Sequence, residues 1–139
     1  YNPNADYTLN FSKIAADLND YITSRNSKPQ YQGPRSFGLQ ACSDFGMFVN
    51  QEFHQIDSLC VKSFLEHKHC MLIRMQYLFK EGVVKQAAVA AAESVSQLSE
   101  QVKKFYESGM GDQMSKLIMK TVAIEKNYLP GVLADIQAI

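Results

Sequence analysis

Apolar side chains recur every three or four residues along most of this chain, a spacing that predicts amphipathic helices. Asp6 is placed to cap the first of these helices. Pro29 and Pro34, with Gly33 between them, cannot continue a helical ladder. We therefore predict a helix over 6–25 and a long loop over 26–37, the helix carrying the apolar stripe Tyr7, Phe11, Ile14 and Leu18.

The next two stripes run from Leu39 to Ile56 and from Val61 to Phe79. Asp57 followed by Ser58 is typical of a helix N-cap, which favours a break between the two stripes. We predict separate helices over 38–56 and 58–81. Because no proline or glycine lies between Gly46 and Gly82, one long helix bent at 56–58 is the alternative.

After Gly82 the spacing alternates between four and three residues, which is a heptad seam and predicts a helix over 83–108. Its members are Val84, Ala88, Ala91, Val95, Leu98, Val102 and Phe105. A fifth helix is predicted over 112–129, where Pro130 and Gly131 should break it and leave a short apolar C-terminal tail. Sustained alternation typical of strands is missing. The predicted fold class is an all-α, single-domain bundle of about five helices.

Composition fits one domain over 1–139, because 46% of the 139 residues are hydrophobic and 20% are charged. Acidic and basic residues number 14 each and form no basic cluster. That evenness argues against nucleic-acid binding and against docking on anionic lipid. Charges such as Glu66, Lys68 and Arg74 interrupt the apolar stretches, so we expect no membrane span.

Three cysteines, Cys42, Cys60 and Cys70, lie in the central stretch. Cys60 and Cys70 would be about 15 Å apart on one helix, beyond disulfide reach. An antiparallel turn at 56–58 brings Cys42 closer to the level of Cys70, which predicts a Cys42–Cys70 disulfide. Cys60 would then be buried or available for a covalent dimer.

The compartment is predicted from the same residues. A disulfide, together with an Asn-x-Ser glycosylation sequon at Asn10, favours a secreted protein. Three reduced thiols in a cytoplasmic protein are the alternative.

The histidines and cysteines do not predict a catalytic or metal site. His67 and His69 are two residues apart and would point about 200° away from each other on a helix, so they cannot share a metal ion. His69 and Cys70 are adjacent, and their side chains would diverge as well. We expect no catalytic residue, no metal and no cofactor.

Two groups of residues are candidates for binding. Soft apolar side chains suit a cavity for a variable apolar ligand, although ordinary core filling is the alternative; they are Met47, Phe64, Met71, Met75, Phe79 and Met114. Aromatic and basic side chains in and beside the long loop suit a protein partner, although a solvated connector is the alternative; they are Arg25, Tyr31, Arg35 and Phe37.

Three functions follow as hypotheses. The first is a secreted, non-enzymatic helical protein that binds a protein partner as an effector, inhibitor or signal. The second is a carrier of a small apolar ligand, such as a lipid or pheromone, held among the methionine and phenylalanine side chains. The third is a self-associating structural module, with a homodimer formed through the heptad seam.

Overall fold

The computed structural model describes residues 10–25 and 36–139. Five α-helices account for most of these residues, with a 3-10 turn at Phe53–Gln55 and no strand in the described ranges. The helices are α1 (Phe11–Thr23), α2 (Gly38–Gln51), α3 (Ser58–Lys80), α4 (Gln86–Glu107) and α5 (Gly111–Gln137). The predicted all-α bundle of about five helices is confirmed.

The bundle has four columns: α3, α4 and α5 form one each, and the two short helices α1 and α2 together form the fourth. The helices α3, α4 and α5 alternate in direction, and α4 packs closely against both of the others. The short helices α1 and α2 pack along α5. The backbone amide of Gln40 donates to Ser24 Oγ at 2.9 Å, which ties the start of α2 to the end of α1. Together the two short helices form the fourth column.

Capping hydrogen bonds explain where α3 and α1 begin. Asp57 Oδ1 accepts a hydrogen bond from the Cys60 amide at 2.9 Å, and this bond is the first cause of the lowered pKa of the Asp57 carboxyl. The predicted break at 56–58 is therefore confirmed, and 38–81 is two helices. Asn10 caps α1 through a bond from the Lys13 amide to its Oδ1. The predicted cap, Asp6, lies outside the described residues.

The predicted end of the last helix at residue 129 is wrong. Helix α5 runs to Gln137 with Pro130 inside it, so the expected apolar tail is helical up to residue 137. Pro130 is exposed, which leaves the carbonyl that loses its amide partner on the solvent side of the helix. The buried side chains of Leu129, Val132 and Ile136 hold both sides of the proline to one core.

The core consists of two apolar clusters at opposite ends of the bundle. The first joins α1 to the end of α3, the start of α4 and the end of α5; its most buried members are Ala92, Leu129, Val132 and Ile136. The second lies at the other end and contains Val49, Val61, Val102, Met114 and Ile118.

On α4 the buried stripe is shifted relative to the predicted seam. Ala92 and Ser99 are fully buried, whereas the predicted seam residues Ala91 and Leu98 are half-buried. Ser99 is tolerated because its hydroxyl donates to the Ser96 carbonyl at 2.6 Å.

Candidate functional site

Between the two apolar clusters lies a buried ion pair. Lys68 Nζ of α3 is 2.7 Å from Glu125 Oε1 of α5, and both side chains are 0% exposed. Removing two charges from water is costly, and the pair is tolerated only with good geometry and further hydrogen bonds. The groups that surround the pair supply those further hydrogen bonds.

Tyr21 and Cys42 complete what we call the buried polar cluster, with Lys68 and Glu125. The Tyr21 hydroxyl donates to Glu125 Oε1 at 2.8 Å and accepts from Lys68 Nζ at 3.1 Å. Cys42 Sγ lies 3.5 Å from Lys68 Nζ and 3.6 Å from the Tyr21 hydroxyl. Burial, followed by the charge of Glu125, raises the pKa of Tyr21, so the phenol stays protonated as a donor. The cluster joins α1, α2, α3 and α5 at one level.

Aromatic rings cover the cation. Lys68 Nζ is 5.1 Å from the centre of the Phe64 ring and 5.7 Å from that of Tyr21, which are cation–π distances. The His67 ring lies 5.4 Å from the Tyr21 ring. Burial, helped by the positive charges of Lys68 and Arg74, lowers the pKa of His67 to about 4. His67 is therefore neutral at neutral pH and adds no second cation to the cluster.

Two buried oxygen atoms near the ion pair have no hydrogen-bond partner among the described residues: Glu125 Oε2 and the Tyr128 hydroxyl. Burial and, after it, the charge of Glu125 raise the pKa of Tyr128. Both groups lie on α5, three residues apart. The carboxylate thus uses one oxygen for all of its hydrogen bonds and leaves the other unpaired.

The predicted Cys42–Cys70 disulfide is absent, and all three cysteines are free. The prediction placed the level of Cys42 correctly, but the residue of α3 that faces it is Lys68. Cys70 is two residues further on, about 200° around the helix, and it is exposed. Cys60 is exposed as well. Asp57 is the main cause that raises the pKa of the Cys60 thiol.

The histidines separate as the spacing predicts. His67 faces Tyr21 of α1, whereas His69 Nε2 is 3.0 Å from Glu100 Oε1 of α4. The described part of the chain contains no group of three or more His, Cys, Asp or Glu side chains that could hold a metal ion.

The six predicted ligand-binding residues do not converge on one cavity. Phe64 and Met114 are in one apolar cluster, and Met71 and Met75 are in the other. The buried polar cluster lies between these two pairs. Met47 is 53% exposed and Phe79 is 43% exposed. The four buried residues fill the core.

Of the predicted partner-binding residues, Tyr31 and Arg35 lie outside the described residues. Arg25 is exposed, and Phe37 is half-buried beside the start of α2. The predicted glycosylation site, Asn10, is exposed. Because its Oδ1 makes the capping bond, the Nδ2 atom that would carry a glycan is not used by the cap.

A shallow groove of about 340 Å³ lies at the end of the bundle, where α2 meets the turn between α4 and α5. It is open to solvent and is lined by Asn50, Phe53, His54 and residues 109–113, among others. A Cβ atom on Gly111 would come within 3.0 Å of the Phe53 ring, so glycine permits the close packing beneath the groove.

The outward surface of α3 departs from the expected pattern of polar residues in solvent. At about 100° per residue, the positions opposite the buried side of α3 form a row that we call the outer row: Leu59, Glu66, Cys70, Ile73 and Tyr77. Leu59 is 68% exposed, Ile73 63% and Tyr77 47%. The predicted stripe along α3 does not include these apolar residues; its members are Val61, Phe64, Leu65, Leu72, Met75 and Phe79.

Comparison with protein-family models, with curated proteins and with solved structures gives no match to this chain. Within the described ranges, every helix is too short or too polar to cross a membrane.

Proposed function

We propose that this protein is a non-enzymatic helical binding protein whose partner packs against the outer row of α3. The observation that carries the proposal is the exposure of Leu59, Ile73 and Tyr77 on one side of a single helix. Isolated apolar residues on a surface need no explanation, but an aligned set is typical of a binding face.

The spacing of the outer row favours a helical partner. From Glu66 onward its residues are separated by four, three and four positions, and Leu59 precedes Glu66 by seven. This is the heptad spacing with which one helix packs along another. The opposite side of α3 is already occupied, because its residues belong to both apolar clusters.

The chemistry of the row indicates what the partner presents. Ile73 and Tyr77 suit apolar side chains, and tyrosine is enriched among the residues that dominate binding energy. Glu66, one helical turn before Cys70, suits a lysine or arginine on the partner. We infer an amphipathic helix with an apolar seam that is interrupted by one basic residue opposite Glu66.

The predicted heptad seam over 84–105 is a weaker candidate for such contacts. Val84, Ala88, Val95 and Val102 are buried within the bundle, so this side of α4 is used internally. The hypothesis of self-association is better directed at the outer row, where a second copy of the chain is one partner to be tested.

We also propose that the protein acts outside the cell. The exposed Asn10 sequon supports this proposal, whereas the three free cysteines do not add to it. Mass spectrometry of protein isolated from its source would check it, since a glycan on Asn10 requires passage through the secretory pathway. An unmodified Asn10 would favour the cytoplasmic alternative.

Site-specific photo-crosslinking tests the binding proposal. A photoreactive phenylalanine analogue would replace Tyr77 in one variant and Phe48 in a matched control, because Phe48 is 43% exposed on a different helix. We expect the variant at residue 77 to capture one partner from the native fluid or extract, and excess unlabelled protein to compete with it. Equal labelling from both positions would contradict the proposal.

Native mass spectrometry separates the remaining functions. A homodimer whose formation is abolished by Ile73→Lys would identify the partner as a second copy. A retained lipid in protein taken from its source would favour the carrier instead, and would move attention from the outer row to the core.

A further inference from the structure

Cys42 differs from the other two cysteines because it faces an amine. Its Sγ atom lies 3.5 Å from Lys68 Nζ, and Lys68 is held in place by Glu125 Oε1 at 2.7 Å. Cys42 is half-buried, whereas Cys60 and Cys70 are exposed. Reactive cysteines are typically partly accessible and lie beside a cationic group; Cys42 is half-buried and the Lys68 amine contacts its sulfur.

We propose that Cys42 and Lys68 form a reversible sulfur–nitrogen crosslink when a peroxide oxidises the thiol. Oxidised cysteine condenses with a nearby nucleophile, usually a thiol and in some proteins a nitrogen. Cys70 cannot serve as that thiol, because it lies about 200° around α3 from the residue that faces Cys42. The nitrogen of Lys68 is the nucleophile in contact.

The chemistry takes two steps. In the first, the peroxide transfers one oxygen to Sγ: its O–O bond breaks, sulfur is oxidised by two electrons to sulfenic acid, and the peroxide is reduced to water or an alcohol. In the second, Lys68 gives one proton to Glu125 Oε1, and the freed amine attacks Sγ. The S–N bond forms, the S–O bond breaks, and the oxygen leaves as water with a second proton from the nitrogen.

The product would change the interior of the bundle. Before the reaction the core holds an ammonium and a carboxylate; afterwards it holds a neutral sulfenamide and a protonated Glu125. The crosslink would tie α2 to α3, and α2 lies at one end of the bundle against α5. Thiol reductants reverse such a bond by attack on sulfur, so the link would respond to both oxidation and reduction.

The experiment uses the full chain with Cys60→Ser and Cys70→Ser, so that Cys42 is the only thiol. After mild hydrogen peroxide treatment we expect the joined Cys42 and Lys68 peptides to weigh two hydrogen atoms less than the two free peptides together, with any oxygen on methionine counted separately. Peptide mapping should show the Cys42 and Lys68 peptides joined, and dithiothreitol should separate them. The same treatment in denaturant should give no such link, because the native contact is lost.

Lys68→Arg in the same background is the matched variant, checked for folding by circular dichroism. It keeps the positive charge but lacks the amine, so we expect sulfenic and then sulfinic acid to accumulate on Cys42, detected by a sulfenic-acid probe and by added oxygen. Three results in the folded Lys68 protein would overturn the proposal: oxygen accumulating on Cys42 with Lys68 unmodified, a Cys42 disulfide between two copies, or no reaction of Cys42.

Discussion

The two sides of α3 distribute polarity in opposite ways. The inner row, defined by its burial, places Lys68 among apolar residues; its other members are Val61, Phe64, Met71, Met75 and Leu78. The outer row places Leu59, Ile73 and Tyr77 in solvent. A helix on the surface of a bundle normally has apolar residues inside and charged residues outside. Each row of α3 departs from that rule.

The two departures have different physical explanations. The inward charge has its partners within the chain, because Glu125 and Tyr21 both bond to Lys68 Nζ. The outward apolar residues lie on the side of α3 that faces away from both clusters. An inward charge is tolerated when its partners are buried with it, whereas an aligned outward apolar row supports the proposed contact with another molecule. Substitutions on either row test this difference between the two sides of α3.

The largest effect is expected from Lys68→Met, which leaves Glu125 buried without its cation. Removing one partner of a buried ion pair costs about 3–5 kcal/mol. Chemical denaturation would measure this as a fall in the free energy of unfolding. Lys62→Met is the matched control, since Lys62 is exposed on the same helix and its substitution should change little.

The double variant Lys68→Met with Glu125→Leu tests whether the unpaired carboxylate causes this loss of stability. It removes both charges, so most of the lost stability should return even though Tyr21 loses its acceptor. A double variant as unstable as Lys68→Met alone would show that the damage comes from packing and not from the uncompensated carboxylate.

A smaller effect is expected from truncating single apolar residues of the two rows. Met75 is 3% exposed, and Met75→Ala should cost about 2–5 kcal/mol because it leaves a cavity. Ile73→Ala removes a similar side chain from the outer row and should change stability by no more than about 0.5 kcal/mol. Similar losses for both variants would mean that the outer row is packed within the protein.

Sequence periodicity predicted the helices but not the ion pair. Lys68 stands four residues after Phe64 and three before Met71, and Glu125 stands three after Val122 and four before Leu129. Each charge thus occupies a position that the spacing assigns to the core. Two opposite charges in such positions are a sequence signal for a buried ion pair. The predicted stripe passes instead through Leu72 and Phe79, each of which is one residue after a buried position of α3.

Two other features were beyond the reach of local patterns. The continuation of α5 through Pro130 depends on tertiary burial of residues on both sides of the proline. Helix propensity alone does not predict such burial. The partner of Cys42 depends on the rotation of α3 about its own axis, and an error of two residues exchanges Lys68 for Cys70. Spacing predicted the level of the contact along the bundle but not the side chain that makes it.

His67, on the edge between the two rows, provides a test by pH. The pKa of its imidazole is about 4 in the folded protein, against an ordinary value of about 6.5. Above pH 6.5 the imidazole is neutral in both the folded and the unfolded protein. As the pH falls toward 4 the unfolded protein binds the proton first, so the free energy of unfolding decreases by at most about 1.4 kcal/mol per pH unit. The decrease levels off below the pKa of the folded protein. Denaturation across this range would measure it.

His67→Phe is the control for the pH effect, because it keeps a ring against Tyr21 but has no titrating group. The difference in stability between wild type and His67→Phe should be constant above pH 6.5 and should shift in favour of the variant as the pH falls toward 4. A difference that stays constant over the whole range would show that His67 is hydrated in the folded protein.

The smallest effect on stability is expected from Ile73→Lys on the outer row. Because Ile73 is 63% exposed, its replacement should leave the free energy of unfolding within about 0.5 kcal/mol of wild type. The same change removes apolar surface, so retention on a hydrophobic-interaction column should fall. Gln76→Lys adds the same charge at an exposed neighbouring position of α3 without removing apolar surface, and should affect retention less. Equal retention of the two variants would mean that Ile73 does not contribute an accessible apolar surface. The proposed binding face would then lack one of its three exposed apolar residues.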